Sequence, residues 1–315
     1  MKQFFTLTVT LLFFFIATAQ TPRIETLTSG TKTSLRGLSA VNDNVVWVSG
    51  SNGTVGKSIN GGKDWKWMQV KGFEKTDFRD IEAFDAATAI VMAIDTPAYI
   101  LRTTDGGENW KVVYENKTPG MFLDAMEFWN SDAGIVIGDP VNGKIFIART
   151  FDGGHSWTEL PQKFKPLANK GEACFASSGT NIRALDRDEA VFITGGLSSN
   201  VFIRDQKIKL PIIQGTESTG ANSIAVWDHN KLNGGNKMIV VGGDYLRDSS
   251  SVNNCFYSNN RGKTWNAPKQ APHGYKSCIE YITEKKLITC GTSGVDYSAD
   301  GGDTWNLVTK DGFHV

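Results

Sequence analysis

The fold is decided by one short stretch, Thr103-Thr104-Asp105-Gly106-Gly107-Glu108-Asn109-Trp110, because four similar stretches recur along the chain. They share a hydroxyl residue, then Asp or Asn, then Gly and finally Trp, at fixed spacing. The five sets are Ser58, Asn60, Gly62 and Trp65; Thr103, Asp105, Gly107 and Trp110; Thr150, Asp152, Gly154 and Trp157; Ser258, Asn260, Gly262 and Trp265; and Ser298, Asp300, Gly302 and Trp305. The Trp residues that end successive stretches are 45, 47, 108 and 40 positions apart, so the long interval has room for one more unit without the stretch.

Each position of this stretch has a structural role in a tight turn. Asx side chains accept hydrogen bonds from nearby backbone N–H groups, and Gly adopts positive φ at little steric cost. The Trp ring fixes the turn to the strand layer by burying a large apolar surface. We therefore interpret the acidic residues Asp105, Asp152 and Asp300 as scaffold rather than as catalytic groups.

The same order of short strands surrounds each copy. In the first unit the strands are predicted at 35–41, 45–48, 54–57 and 65–68, and later units begin at 78–81, 121–124, 173–176, 222–225 and 277–280. The unit without the stretch fits the same template with strands at 190–194, 200–204 and 207–210. Four short strands in each repeat of 40 residues or more are typical of a β-propeller blade. The sequence predicts an all-β protein of four-stranded antiparallel blades.

The number of blades is open between seven and six. Residues 24–28 resemble a fourth strand without its own blade, and residues 311–315 resemble the beginning of a first strand. Together they would form part of a closing blade that lacks its middle strands. We predict six complete blades and an incomplete seventh, with a closed ring of six as the alternative.

The first 19 residues are predicted to be a secretory signal peptide. Lys2 is followed by an apolar run and by the small-residue site Ala17-Thr18-Ala19. The mature chain from residue 20 is then one propeller domain, exported to the periplasm or secreted, and without a membrane span. We expect it to be a monomer.

The composition excludes one class of partner. Lys and Arg together number 33, as do Asp and Glu, so the chain is formally neutral. Proteins that bind nucleic acid carry a positive surplus that neutralises phosphates. We therefore expect protein or glycan partners and no nucleic acid.

The five stretches resemble the Asp boxes of BNR-repeat propellers. The unit from Phe78-Arg79-Asp80-Ile81 to Trp110 is similar to the repeat of the photosystem II stability and assembly factor family and its non-photosynthetic bacterial relatives. The resemblance extends over essentially the whole mature chain. It implies a seven-bladed, secreted, non-catalytic propeller that binds other molecules. We accordingly expect a binding or assembly scaffold for proteins or envelope components.

An extracellular glycoside hydrolase is the alternative function, because sialidases share the Asp box. Sialidase chemistry uses three arginines to hold a carboxylate. Arg36 and Arg79 occupy matching places in adjacent units, but later units have Leu123, Ala176 and Ser223 near that place. The sequence therefore predicts no catalytic residues.

No cofactor or metal is predicted either. The chain has no G-x-G-x-x-G, P-loop, H-E-x-x-H or C-x-x-C pattern, and its 4 His are scattered without ligand spacing. Cys278 and Cys290 are predicted on consecutive strands of one blade, where an exported protein could join them in a disulfide, with two buried thiols as the alternative.

A ligand is expected on the face opposite the boxes, above the central channel. This face carries the loops that enter the first strand of each blade and join its second and third strands. The candidate residues are Arg36, Arg79, Asp80, Asp95, Asp124, Asp139, Glu172, Asp244 and Tyr245. Such a mixture of acids and arginines suits a peptide terminus, a sugar or a cation. The alternative is that these charges only satisfy one another.

Overall fold

A computed structural model describes residues 22–29, 31–186, 188–228 and 234–315. The predicted signal peptide lies outside these residues. The described part of the chain contains no helix with the length and apolar character needed to cross a bilayer.

The described strands form six antiparallel blades. Blade 1 comprises β1 (Leu35–Ala40), β2 (Val46–Gly50), β3 (Thr54–Ser58) and β4 (Lys66–Gln69). Blade 2 comprises β5 (Phe78–Ala83), β6 (Ala89–Ala93), β7 (Ala98–Thr103) and β8 (Lys111–Asn116). Blade 3 comprises β9 (Leu123–Phe128), β10 (Gly134–Val141), β11 (Lys144–Thr150) and β12 (Thr158–Glu159). The order of strands in each sheet is the order in the chain, from the channel outwards.

The second half of the ring is less regular. A 3-10 helix (Gln162–Phe164) and β13 (Glu172–Ala173) lead into blade 4, which comprises β14 (Ile182–Ala184), β15 (Ala190–Ile193), β17 (Asn200–Ile203) and β18 (Gln206–Lys209). Blade 5 comprises β19 (Thr219–Val226), β20 (Met238–Asp244) and β21 (Cys255–Ser258), with an outer bridge between Tyr257 and Asn266. β13 and β16 (Gly195–Gly196) join its sheet at the inner side. Blade 6 comprises β22 (Cys278–Tyr281), β23 (Leu287–Gly291), β24 (Gly294–Ser298) and β25 (Asn306–Thr309).

The predicted propeller is confirmed. The described strands form six blades, which was the alternative to the predicted seven. The two terminal segments do not complete a seventh blade. Residues 22–29 and 311–315 belong to no sheet; Leu27 instead lies against Gly62, and Phe313 donates its backbone N–H to the carbonyl of Gly291 at 3.1 Å. Each terminal segment covers part of a blade face, and neither has a partner strand to pair with.

Each Asp box is a hydrogen-bonded turn. In blade 2, Thr103 Oγ1 donates to Asp105 Oδ1 (2.9 Å) and accepts from the N–H of Gly107 (3.1 Å), while the same carboxylate oxygen accepts from the N–H of Asn109 (3.0 Å). Trp110 Nε1 donates to the carbonyl of Gly107 at 3.2 Å. The hydroxyl and Asx bonds recur in all five boxes.

The boxes also join neighbouring blades. Gly107 has φ +90°, and a Cβ atom there would lie 2.8 Å from the sulfur of Met68 in blade 1. Each other box has a glycine in the same position against the element before it: Gly62 against Leu27, Gly154 against Ile90, Gly262 against Ile203 and Gly302 against Ile239. This position therefore needs Gly for its backbone conformation and for close blade packing.

Blade 4 replaces its box with a short turn and ion pairs. Arg204, in the turn between β17 and β18, has φ +56° and pairs with Glu189. Arg261, inside the box of blade 5, has φ +60° and pairs with the same carboxylate at 2.7 Å. Glu189 therefore joins the rims of blades 4 and 5.

Thr103→Val should lower the free energy of unfolding by about 1–3 kcal/mol, because it keeps the side-chain shape but leaves the buried N–H of Gly107 without an acceptor. Urea unfolding followed by tryptophan fluorescence measures this. Thr104→Val, at the exposed next position of the same turn, is the matched control and should change stability by less than about 0.5 kcal/mol. Equal losses in the two variants would contradict the proposed role of the box hydroxyl.

Candidate functional site

Residues 175–181, which we call the channel segment, cross the centre of the ring. This segment precedes the inner strand of blade 4 but bonds to three other blades. Arg79 of blade 2 donates to the carbonyl of Ala176 at 3.1 Å, and the Ser178 hydroxyl donates to the carbonyl of Ser277, which precedes β22 of blade 6, at 2.7 Å. The Thr180 hydroxyl bonds Ser223 of blade 5 at 2.6 Å. The segment divides the channel into two halves.

The predicted inner strand at 173–176 is therefore wrong, since the inner strand of blade 4 is β14 (Ile182–Ala184). The sequence here is rich in hydroxyls, which bond to the surrounding blades. Gly179 has φ +70°, and a Cβ atom there would lie 2.3 Å from Asp80 Oδ1. Only a residue without a side chain allows the segment to pass so close to this carboxyl group.

Arg36 and Arg79 form an arginine pair in the half opposite the boxes. Burial, and next the neighbouring Arg79, lower the pKa of Arg36. Burial and both arginines lower the pKa of His314 to about 4, so the imidazole is neutral at pH 7. Tyr275 contributes to the same region, where its hydroxyl donates to Asn222 Oδ1 at 2.8 Å. Tyr245 packs edge-on against Tyr275, with ring centroids 6.3 Å apart.

The other predicted ligand residues have different environments. Asp124 lies near Arg79, and one Asp124 oxygen is within 4.8 Å of one oxygen of Asp139. Glu172 is buried and accepts from Thr194, Asn200, Lys207 and the N–H of Asn169. Asp244 bonds the N–H of Leu246 and pairs with Arg247, and Asp95 is exposed in a loop. Glu172 and Asp244 thus already have hydrogen-bond and ion-pair partners in the surrounding structure.

A cavity of about 620 Å³ occupies the other half of the channel, on the side of the boxes. Strand register places four charged residues in equivalent positions around it. Glu82, Glu127, Arg183 and Glu280 lie opposite Ile90, Ile135, Val191 and Ile288 of their second strands. All four line the cavity, together with Asp80. We call these five residues the acidic ring.

The acidic ring has one cation for four carboxyl groups. Arg183 binds Glu280 at 2.7 Å and lies 3.7 Å from Glu127. Burial raises the pKa of Glu127 to about 7 and raises the pKa of Glu82 well above its usual value. Asp80 accepts from the N–H groups of Ile81 (2.8 Å) and Met126 (2.7 Å), yet burial still raises its pKa to about 8. The ring would be stabilised by additional positive charge.

The walls of the cavity are apolar. Blade 1 contributes Leu38 and blade 6 contributes Ile288 and Val295, so these two blades face each other across the space. The terminal residues Ile24 and Phe313 line the same space. Leu38 and Phe313 remain 46% and 40% exposed, so apolar surface is accessible there to a ligand.

Of the acidic ring, sequence reasoning identified only Asp80, and it expected Asp80 on the opposite side. The sequence could have indicated Glu82, because it follows Asp80 by two residues and residues two apart lie on the same face of a strand. Equivalence with Glu127, Arg183 and Glu280 depends on strand register, however. Bulges interrupt the register between Phe78 and Asp80 and near Gly138.

Cys278 and Cys290 also line the cavity, and they are direct cross-strand partners, as expected from the sequence. The structure has both as free thiols. A disulfide between them stays a prediction; intact-mass measurement of the protein purified without reductant would reveal it as a loss of two hydrogens.

Comparisons with known proteins agree with the fold. Residues 17–158 match the family model described as photosynthesis system II assembly factor YCF48. No curated protein sequence matches the chain. A solved structure of YCF48 bound to D1 peptide is 17% identical, with a TM-score of 0.60 over 88% of this chain and 81% of that chain. YCF48 from Cyanidioschyzon merolae is 16% identical, with a TM-score of 0.61 over 91% and 89%.

A more distant propeller, the WD40 domain of Doa1, is 13% identical with a TM-score of 0.57 over 88% of this chain and 83% of that chain. Identities this low show the fold alone. The family-model match over residues 17–158 confirms the resemblance to BNR propellers of the photosystem II assembly factor type.

Asp80→Asn should flatten the dependence of stability on pH. The folded protein keeps the Asp80 carboxyl group protonated up to about pH 8, whereas in the unfolded chain this group has a pKa near 4. Its contribution to the free energy of unfolding is therefore fully present below about pH 4 and is lost as the pH rises to about 8. Each pKa unit corresponds to about 1.4 kcal/mol. Urea unfolding at pH 5, 6, 7 and 8 measures the slope.

The control is Asp105→Asn. Its carboxylate is exposed and its pKa is lowered to about 2 by hydrogen bonds from Asn109 and Thr103, so it titrates below this window. A parallel change of slope in both variants would contradict the assignment to Asp80.

Proposed function

We propose that this chain, an Asp-box propeller similar to the photosystem II assembly factors, is a non-catalytic scaffold that binds a segment of another protein in the cavity of the acidic ring. The observation that carries the proposal is the ring itself, in which four carboxyl groups share one guanidinium beside an accessible apolar wall. We further propose, from Lys2 and the following apolar run to Ala19, that the protein is exported and acts among envelope components. We also propose that it acts as a monomer.

The chemistry of the cavity favours a basic ligand with apolar neighbours. A Lys or Arg side chain or an amino terminus would supply the positive charge that Asp80, Glu82 and Glu127 lack. Leu38, Ile288 and Val295 would cover apolar residues on either side of that charge. Short peptides bind grooves through such a combination of one oriented charge and apolar contacts. One solved relative, YCF48 bound to D1 peptide, is a precedent for a protein ligand on this fold.

One observation favours a second candidate, a glycoside hydrolase. Glu127, with a pKa of about 7, could serve as a general acid, while Glu280 is paired with Arg183. Glycosidases use two carboxyl groups in one cavity, one of which is a general acid with a raised pKa. Against this candidate, Arg183 engages both carboxyl groups, and the predicted arginine pair lies beyond the channel segment.

Binding of fluorescent peptides tests the scaffold proposal. An apolar peptide with a central Lys should bind more tightly than the same peptide with Glu, and Glu127→Gln should weaken binding by about 10- to 100-fold. Affinity should rise from pH 6 to pH 8 as Glu127 and Asp80 ionise. Glu115→Gln, on the outer strand β8, is the control and should bind as the parent does. Equal binding of both peptides would contradict the proposal.

Turnover of a glycan panel tests the second candidate. We expect none from the parent protein. Turnover that persists in Arg36→Ala/Arg79→Ala but disappears in Glu127→Gln would replace the scaffold by a hydrolase acting in the acidic ring. Turnover lost in the double variant would place the active centre in the opposite half of the channel.

A further inference from the structure

A second cluster of ligating groups lies between blades 3 and 4, away from the acidic ring. Asp124 lies on β9, Asp139 lies in β10 beside the bulge after Gly138, and Cys174 follows β13. One carboxylate oxygen of each Asp and the sulfur of Cys174 all lie within 4.8 Å of one another. The cluster thus connects a regular blade with the beginning of the channel segment.

Asp124 is the unusual member of this cluster. Its side chain is completely buried, and neither carboxylate oxygen accepts a hydrogen bond of normal geometry within the part of the chain that the structure describes, although the backbone N–H groups of Asp139 and Ala176 are near enough to favour its ionised form. A buried carboxylate without a partner is costly, and such groups are normally paired or bound to a metal. Burial, and next the neighbouring Asp139, raise the pKa of Asp124 well above its usual value. Arg79 is near, but its guanidinium bonds Ala176 and Asp77.

The other two groups are already oriented. Asp139 Oδ1 accepts from the backbone N–H of Cys174 at 2.8 Å, and the Cys174 sulfur lies 3.9 Å from the carbonyl of Gly138. Cys174 is buried, whereas Asp139 is half-buried and connects the cluster to solvent. An ion could therefore enter past Asp139 and reach Asp124.

We propose that Asp124, Asp139 and Cys174 form a binding site for a divalent metal ion, with zinc as the best fit. Zinc accepts thiolate sulfur at about 2.3 Å and carboxylate oxygen at about 2.0–2.2 Å, in a tetrahedral arrangement. Magnesium and calcium take oxygen ligands, so the cysteine favours zinc over both. Water on the side of Asp139 would supply the fourth ligand. Binding requires the Cys174 thiol and the protonated Asp124 carboxyl group each to release a proton to solvent.

A metal here would fix the channel segment. Two ligands belong to adjacent strands of blade 3, and the third immediately precedes residue 175, where the segment begins. The ion would hold the beginning of that segment against a rigid sheet. Its effect would be greater order in the channel rather than chemistry on a substrate.

The test uses the full-length protein, reduced and freed of metal with a chelator. Cobalt(II) should bind in a one-to-one ratio and give a thiolate-to-cobalt charge-transfer absorption, which zinc displaces. Zinc should raise the thermal midpoint of unfolding. Cys174→Ala should abolish the absorption, and Asp124→Asn should weaken zinc binding by about 100-fold or more.

Two further variants keep the outcome interpretable. Cys255→Ala removes another buried free cysteine outside the cluster and should leave cobalt binding unchanged. Asp124→Asn should keep or raise the thermal midpoint of the metal-free protein, because it removes a buried carboxyl group. Asp139→Asn, at a half-buried position, is the second ligand variant. Absence of the absorption in the parent, its persistence in Cys174→Ala, or its loss in Cys255→Ala would overturn the proposal.

Discussion

The structure depends on face-to-face packing between each blade and the blade before it. The box provides this contact, since its hydroxyl, Asx side chain and Trp hold a glycine against the neighbouring side chain, as Gly107 is held against Met68. The boxes of blades 2, 3, 5 and 6 make this contact with the preceding blade, whereas blade 4 has no box and blade 1 has no blade before it. Leu27 of the N-terminal segment takes the place of the missing neighbour at Gly62, and residues of blades 1 and 6 line the cavity together with the terminal residues Ile24 and Phe313. The candidate binding site therefore lies where the first and last parts of the described chain meet.

Most of the fold could be predicted from the sequence because its signals are local. A box occupies eight residues, and each strand has its own β-branched and aromatic composition, so the propeller and the blade without a box were both predictable. The blade number was less so: residues 24–28 have the composition of a strand, but they lie where no partner strand is available. The error at 173–176 has a similar origin, since Ala173-Cys174-Phe175-Ala176 is apolar enough for an inner strand, yet the hydroxyls after it bond to distant blades.

The candidate site was less predictable because it depends on register and on long-range contacts. Arg36 and Arg79 are each the second residue of an inner strand, a local feature that the sequence shows directly. Glu82, Glu127, Arg183 and Glu280 become equivalent only when the bulges are known. The cluster at Cys174 was missed for another reason. Metal ligands were sought through His spacing, whereas this cluster draws Asp124 and Asp139 from one sheet and its cysteine from the next connection.

The outer turn of blade 4 makes the stability of one part of the rim depend on ionic strength. The blades with boxes hold their outer turns by neutral or locally satisfied hydrogen bonds, which salt scarcely affects. The outer turn of blade 4 instead depends on Glu189, which pairs with Arg204 of that turn and with Arg261 of blade 5, and Arg204 is largely exposed. Screening weakens exposed ion pairs at high ionic strength. Concentrated salt should therefore loosen this sector of the ring first, and amide exchange there should become faster while the boxed turns stay protected.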